Sequence, residues 1–260
     1  MNLSLNGKRA LVCGSTQGIG LAIAKELALL GAGCTLIARN EEALQEAVTQ
    51  LANPENGHNY AVADFSIPGA ALKAVNHVLQ QGLIHILINN TGGPPAGKIK
   101  DARTTEFVSA IQLHLLNNHE LAQALLSGMK AAQYGRIINI ISTSVKVPLP
   151  NLGVSNTTRA AVAAWSKTLA NEVAADGITV NNVLPGATST ARLSNIIQGK
   201  AAKNQVSAET VSEEMLHEIP MRRFGQAEEI AAMAAFLATP AAAYVTGQSI
   251  CVDGGRTGSI

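Results

Sequence analysis

LVCGSTQGIG, residues 11–20, is the stretch that decides the fold. An apolar run, Arg9 to Cys13, leads into it, glycines at 14, 18 and 20 turn it, and a helix-forming run from Leu21 to Leu30 leaves it. That is strand, glycine turn, helix. Such a turn shows an anion bare backbone N–H groups and the positive end of a helix dipole. Its glycines let a pyrophosphate come close without meeting a Cβ. The spacing is G-x-x-x-G-x-G, not the G-x-G-x-x-G of the common dinucleotide fingerprint. Taken alone, the turn is equally the junction of a strand and a helix with no ligand.

Outward from this unit the same alternation repeats. Strands are expected at Cys34–Ala38, Tyr60–Ala63, Ile84–Ile88, Arg136–Ile141, Ile178–Leu184 and Ser249–Val252. Helices are expected at 41–51, 67–81 with Pro68 in the first turn, 104–132, 153–175 and 226–238. The strands are apolar throughout, the pattern of a parallel sheet covered on both faces. The expectation is a single α/β domain over residues 1–260, with a doubly wound parallel sheet. Only 187–223 is irregular: polar, Ala-rich and weakly periodic, it follows a strand end, where open α/β sheets place a ligand crevice and a lid is useful.

Composition narrows the class. The chain has 260 residues, 47% of them hydrophobic, and a net charge of +1 without a long basic run, which argues against nucleic acid or an anionic membrane as the main partner. Cys13, Cys34 and Cys251 each sit in an apolar run and read as three buried, reduced thiols, as in a reducing compartment. No run is long enough to span a membrane, and the N-terminus carries no cleavage-site pattern, so a soluble cytoplasmic protein is expected. The six histidines, His58, His77, His85, His114, His119 and His217, show no metal-site spacing.

If a dinucleotide lies on the first turn, its ribose meets the end of the second strand. An acidic residue there would favour NAD; this chain has Ala38-Arg39-Asn40. A guanidinium pairs bidentately with a 2′-phosphate, so Arg39 points to NADP and to NADPH over NADH. Asp64 ends the third strand, where it could accept from an adenine amino group or simply cap a turn.

Together the motifs resemble the short-chain dehydrogenase/reductases, nearest their 3-oxoacyl-carrier-protein-reductase-like members. They are Gly14-x-x-x-Gly18-Ile-Gly20, Asn89-Asn90-Thr91-Gly92, the run Gly135 to Ile140, Pro185-Gly186, Arg223-Phe-Gly225, Val245-Thr246-Gly247 and Val252-Asp253-Gly254-Gly255. The resemblance spans nearly the whole chain and implies a single Rossmann-type domain with seven parallel strands, an NAD(P)(H) cofactor and a homotetramer. It implies cofactor contacts from Gly14, Ser15, Thr16, Gln17, Gly18, Ile19, Gly20, Arg39, Asp64, Phe65, Asn90, Gly92, Arg159, Pro185, Gly186, Thr188 and Thr190.

The family's chemistry rests on Asn, Ser, Tyr and Lys, and only the serine, Ser142, carries over. Where Tyr-x-x-x-Lys belongs, 13 positions on, the chain reads Ser155-Asn156-Thr157-Thr158-Arg159, and the asparagine aligns with His114. A phenol of pKa about 10 can be drawn towards working pH. Ser155 is a much weaker acid, and Arg159 stays charged and relays no proton. Ser155 and Arg159 are four apart and share a helix face. Losing a general acid costs ~10²–10⁴ in rate without abolishing hydride transfer. Ser142, Arg159 and a water could still polarise a carbonyl. His114 could supply a proton, since a free imidazole titrates near pH ~6.5, although a lone histidine on a helix is more often a structural hydrogen-bonding residue. Lys146 lies beside the expected pocket, and Trp165 reads as helix packing.

Three readings stand. One is an NADP(H)-dependent reductase acting on a small carbonyl or alcohol through an atypical site of Ser142, Ser155, Arg159 and His114. The others are a catalytically silent NADP(H)-binding regulator or scaffold, and an enzyme that uses the pocket without net redox change.

Overall fold

The computed structural model describes residues 1–259. Seven strands form one parallel sheet in the order β3-β2-β1-β4-β5-β6-β7. They are β1 Arg9–Cys13, β2 Gly33–Ala38, β3 Asn59–Val62, β4 Ile86–Asn89, β5 Gly135–Ile140, β6 Ile178–Pro185 and β7 Ser249–Val252. The helices are α1 Gly18–Leu29, α2 Glu41–Thr49, α3 Ala70–Leu79, α4 Thr104–Ile111, α5 Asn117–Ala131, α6 Gly153–Val173, α7 Ala191–Asn204, α8 Ala208–His217 and α9 Ala227–Ala238.

Successive strand residues point to opposite faces, and both faces are apolar. Val12, Ile88, Ile138 and Val183 pack with Ile23 and Leu27 of α1 and Ile230 and Ala234 of α9. Leu11, Leu87, Ile137 and Val180 pack with Val75 of α3, Leu121 and Leu125 of α5 and Ala170 of α6. Chain order reverses between β1 and β4, so the crevice for a ligand opens above the carboxyl ends of those two strands.

Three expectations are corrected. The helix expected over 67–81 begins only at Ala70, because Gly69, at φ 77°, sits outside the helical region just before it. The helix expected over 104–132 is interrupted by a π-helical turn, Gln112–Leu116, that contains His114. Cys13 and Cys34 are buried, with thiols pushed up to about 12 by desolvation, but Cys251 on edge strand β7 is only half-buried. The 187–223 segment folds as a pair of helices: Leu193, Ile197 and Ala201 of α7 meet Val211 and Met215 of α8 in a small core of their own.

One polar row crosses the sheet. Asn89, Asn139, Asn182 and Ser249 are register partners on β4 to β7. Asn89 Nδ2 donates to Asn139 Oδ1 at 2.8 Å, Asn139 Nδ2 to Asn182 Oδ1 at 2.9 Å, and Asn182 Nδ2 to Ser249 Oγ at 3.0 Å. Strand alternation puts the row on the same face as Leu87, Ile137 and Val180, under the carboxyl ends of the strands.

Candidate active site

The turn between β1 and α1 is shaped for close approach. Gly14 is at φ +60°, and a Cβ on it would lie 2.3 Å from the Asn90 carbonyl oxygen. A Cβ on Gly20 would meet Gly14 O at 2.1 Å and Asn90 Nδ2 at 2.7 Å. Asn90 Nδ2 donates to Gly14 O at 3.0 Å, tying the β4 exit to the turn. Ser15 points inward and is fully buried, its hydroxyl 3.5 Å from Ile37 O. Thr16 and Ile19 are half-buried and Gln17 is exposed. Gln17 caps α1 with no side-chain hydrogen bond, so the first-turn N–H groups stay available. Across the groove, Thr190 Cγ2 lies 3.4 Å from where a Gly18 Cβ would be.

At the ends of β2 and β3, Arg39 is exposed and Asp64 half-buried. Asp64 Oδ1 accepts from Ser66 N at 2.8 Å and Ser66 Oγ at 2.7 Å. Those bonds first, then the charge of Arg39, hold the carboxyl below its ordinary range. Phe65 is buried, and its carbonyl accepts from Asn117 Nδ2 at 2.7 Å. Gly92 faces open space.

On the far side of the crevice Ser142 follows β5 and caps a short 3-10 turn, its Oγ accepting from Ser144 N at 3.1 Å. That leaves its hydrogen free to donate. Ser155 and Arg159 are both buried on the inner face of α6, 4% and 7% exposed. Arg159 Nη1 donates to Ile140 O at 3.3 Å, which places the guanidinium at the end of β5, two residues before Ser142. Burial, then the charge of Arg192, lowers its pKa to about 10, so it stays charged at neutral pH.

His114 is 4% exposed. Its Nδ1 lies 2.8 Å from Thr91 Oγ1, and its Nε2 is buried with no partner. Desolvation, then Arg159 and Arg192, pulls the imidazole down to about 3. Burial thus favours the neutral imidazole at physiological pH, in contact with Thr91. The π-turn that carries it is of the kind that recurs at functional sites.

Pro185 ends β6, and a Cβ on Gly186 would come within 2.7 Å of Asp253 Cα. The hydroxyls of Thr188 and Thr190 are engaged locally, with Gly186 O at 3.1 Å and Thr188 O at 3.2 Å. Thr190 also caps α7. Lys146 is exposed on the 3-10 turn. Trp165 packs with α5, its Nε1 3.3 Å from His119 Nδ1.

Sequence reasoning missed Thr91, the partner of His114, and Arg192. Arg192 Nη1 reaches from α7 to Gly93 O at 3.2 Å. The only signal for Arg192 was a cation in the segment expected to overhang the pocket.

Residues 14–257 match the family model described as enoyl-(acyl carrier protein) reductase. A 3-oxoacyl-[acyl-carrier-protein] reductase of Pseudomonas aeruginosa is 36% identical over 259 residues, covering 97% of this chain and 98% of the relative. A tropinone reductase homologue of Arabidopsis thaliana is 34% identical over 256 residues, covering 98% and 92%. The crystal structure of L-sorbose reductase from Gluconobacter frateurii, complexed with NADPH and L-sorbose, superposes with a TM-score of 0.93 at 31% identity, covering all of both chains.

Proposed function

Because the chain belongs to the short-chain dehydrogenase/reductase family, we propose that it is an NADP(H)-dependent oxidoreductase acting on a carbonyl or alcohol through an atypical active site. The observation that carries this reading is the crevice itself. A glycine turn with no room for a Cβ at Gly14 or Gly20 faces, across the sheet's switch point, a half-buried serine and a buried guanidinium at the end of β5.

The residues fit the nucleotide. Gly14, Gly18 and Gly20, with the first turn of α1, would hold the pyrophosphate. Exposed Arg39 would hold the 2′-phosphate, with Asp64 and Phe65 beside the adenine. Asn90 fixes the turn and Gly92 leaves room, while Arg159, Thr188 and Thr190 would face the nicotinamide half. When bound, the nucleotide supplies a hydride donor or acceptor.

The chain's own groups do the rest. Ser142 donates its free hydroxyl hydrogen to the substrate oxygen, and Arg159 stabilises the negative charge that grows there. Ser155 ends short of where a phenol oxygen would sit, which leaves space for water to supply the proton. Neutral His114 orients through Thr91 rather than titrating. NADPH binding followed by fluorescence, then NADPH oxidation against ketones and aldehydes, tests the reading. Turnover that Ser142→Ala reduces at least ~10²-fold supports it. Tight binding without turnover on a broad panel favours a silent NADP(H)-binding regulator. Paired Ser155→Tyr and Arg159→Lys should raise carbonyl reduction.

We also propose one dinucleotide-binding domain whose 187–223 flap shapes the substrate side, and a cytoplasmic homo-oligomer, a tetramer by resemblance. Val108, Ile111 and Leu116 are exposed along α4 and its π-turn, an apolar strip suited to contact. Among the described residues no helix is long and apolar enough to cross a membrane.

A further inference from the structure

Two guanidinium groups converge at one point of the crevice. A Cβ on Gly93 would lie 2.5 Å from Arg192 Nη2 and 3.0 Å from Arg159 Nη2. Arg159 comes from the inner face of α6 and Arg192 from the first turn of α7. Each donates to a single backbone carbonyl, Ile140 O and Gly93 O. Among the described residues neither is in a salt bridge. A guanidinium carries five donors, so most of this capacity is unspent. Arg159 is only 7% exposed, a setting in which a charge is normally paired.

A third unspent group lies within reach of their charge. His114 Nε2 is buried and without a partner, and the two arginines are the charges that act on that imidazole. When the Thr91 hydroxyl donates to Nδ1, Nε2 keeps its hydrogen and becomes another donor. Two cations and a neutral donor are drawn together with no carboxylate among them. That set of donors is complementary to an oxyanion.

We infer that the substrate is an oxo acid whose carboxylate is gripped by Arg159 and Arg192, with its carbonyl turned to Ser142. Arg159 donates to the carbonyl of Ile140, which lies two residues before Ser142, so the carboxylate lies close to the reacting carbon. A 2-oxo or 3-oxo acid meets that geometry. In the reaction the carbonyl carbon gains a hydride from a reduced nicotinamide nucleotide and the oxygen gains a proton from a water, whose hydroxide is reprotonated by bulk solvent. The products are the hydroxy acid and the oxidised nucleotide, with one solvent proton consumed. The inference rests on the reading proposed above. The competing source of an oxyanion is the nucleotide's own pyrophosphate, since Arg192 follows Thr190, which faces Gly18.

The test compares 2-oxobutanoate and acetoacetate with 2-oxobutanamide and methyl acetoacetate. Calorimetric binding to the NADP+-saturated protein is measured beside NADPH oxidation, and NADPH affinity is titrated separately for each variant. The acids should bind at least tenfold more tightly than the neutral partners. Arg192→Ala should erase that preference and leave the NADPH Kd within about twofold, while Arg192→Lys, which keeps charge without the fork, should keep part of it. Acids and neutral compounds binding alike would overturn the inference. So would an Arg192→Ala defect confined to NADPH, which would assign the pair to the nucleotide phosphate. Failure of the wild-type protein to bind NADPH sinks the functional reading instead. Arg192-dependent acid binding without turnover would still support the carboxylate site.

Discussion

Replacing His114 by glutamine should flatten the acid side of the protein's stability profile. The imidazole is 4% exposed, and burial, then Arg159 and Arg192, hold its pKa at about 3 in the fold against 6.5 for a free histidine. Between those values the unfolded chain binds a proton that the folded chain refuses. Stability from this group is therefore complete above pH 6.5 and falls as pH drops towards 3. The slope is about 1.4 kcal/mol per pH unit, or about 2 kcal/mol between pH 7.5 and pH 5. Glutamine can still hydrogen-bond Thr91 but does not titrate, and every other ionisable group is common to both proteins. The assay is urea unfolding at pH 7.5, 6 and 5, at one protein concentration. The variant is expected to start less stable, by the lost packing, and to lose about 2 kcal/mol less than wild type on acidification. Parallel profiles would show that the imidazole protonates inside the fold and that the two arginines do not act on it as described. Arg192→Gln, which removes one of those charges, should steepen nothing and soften the wild-type slope near its acid end.

Arg39→Ala should weaken NADPH binding about 10- to 100-fold by deleting a charge-assisted phosphate contact, and leave NADH nearly unchanged. Equal losses for the two, read by fluorescence titration, would remove Arg39 from the phosphate site. Gly20→Ala puts a methyl 2.1 Å from Gly14 O. A lower Tm and lost NADPH binding are expected, and an unchanged melt with intact binding would refute the shape assigned to the turn. Asn139→Ala strands the amides of Asn89 and Asn182, which should cost roughly 2–5 kcal/mol in urea unfolding. A cost under about 1 kcal/mol would mean the row is satisfied by something other than its neighbours.

The sheet was legible because its physics is local. Ile137 and Ile138 are both apolar because helices cover both faces of β5, and that pattern can be read without knowing the neighbours. The turn at Gly14 and Gly20 was legible because its close approaches admit no side chain. The π-turn at His114 was not. It adds one residue to a helical turn without disturbing helix-forming composition, so apolar spacing carries no trace of it. Arg192 left only a faint trace for a different reason: its partner is 99 residues away, and it lies in a segment whose apolar pattern serves a separate small core. The asparagines of β4, β5 and β6 did leave a signal, since a buried amide in an apolar strand requires a partner. Only the register of the strands says which.

That amide row bears on how the sheet aligns in the first place. Oily strands lying side by side have little to distinguish one alignment from another two residues along. Slide β5 by a single residue and Asn139 turns into the layer of Ile138 and Ile140; slide it by two and both adjoining amides lose their mates. The row thus works as a key cut across four strands, fitting one setting and penalising its neighbours. Because β4 and β5 carry the loops that bring Asn90 and Ser142 to the crevice, the same key sets the height at which the two walls of the site face one another.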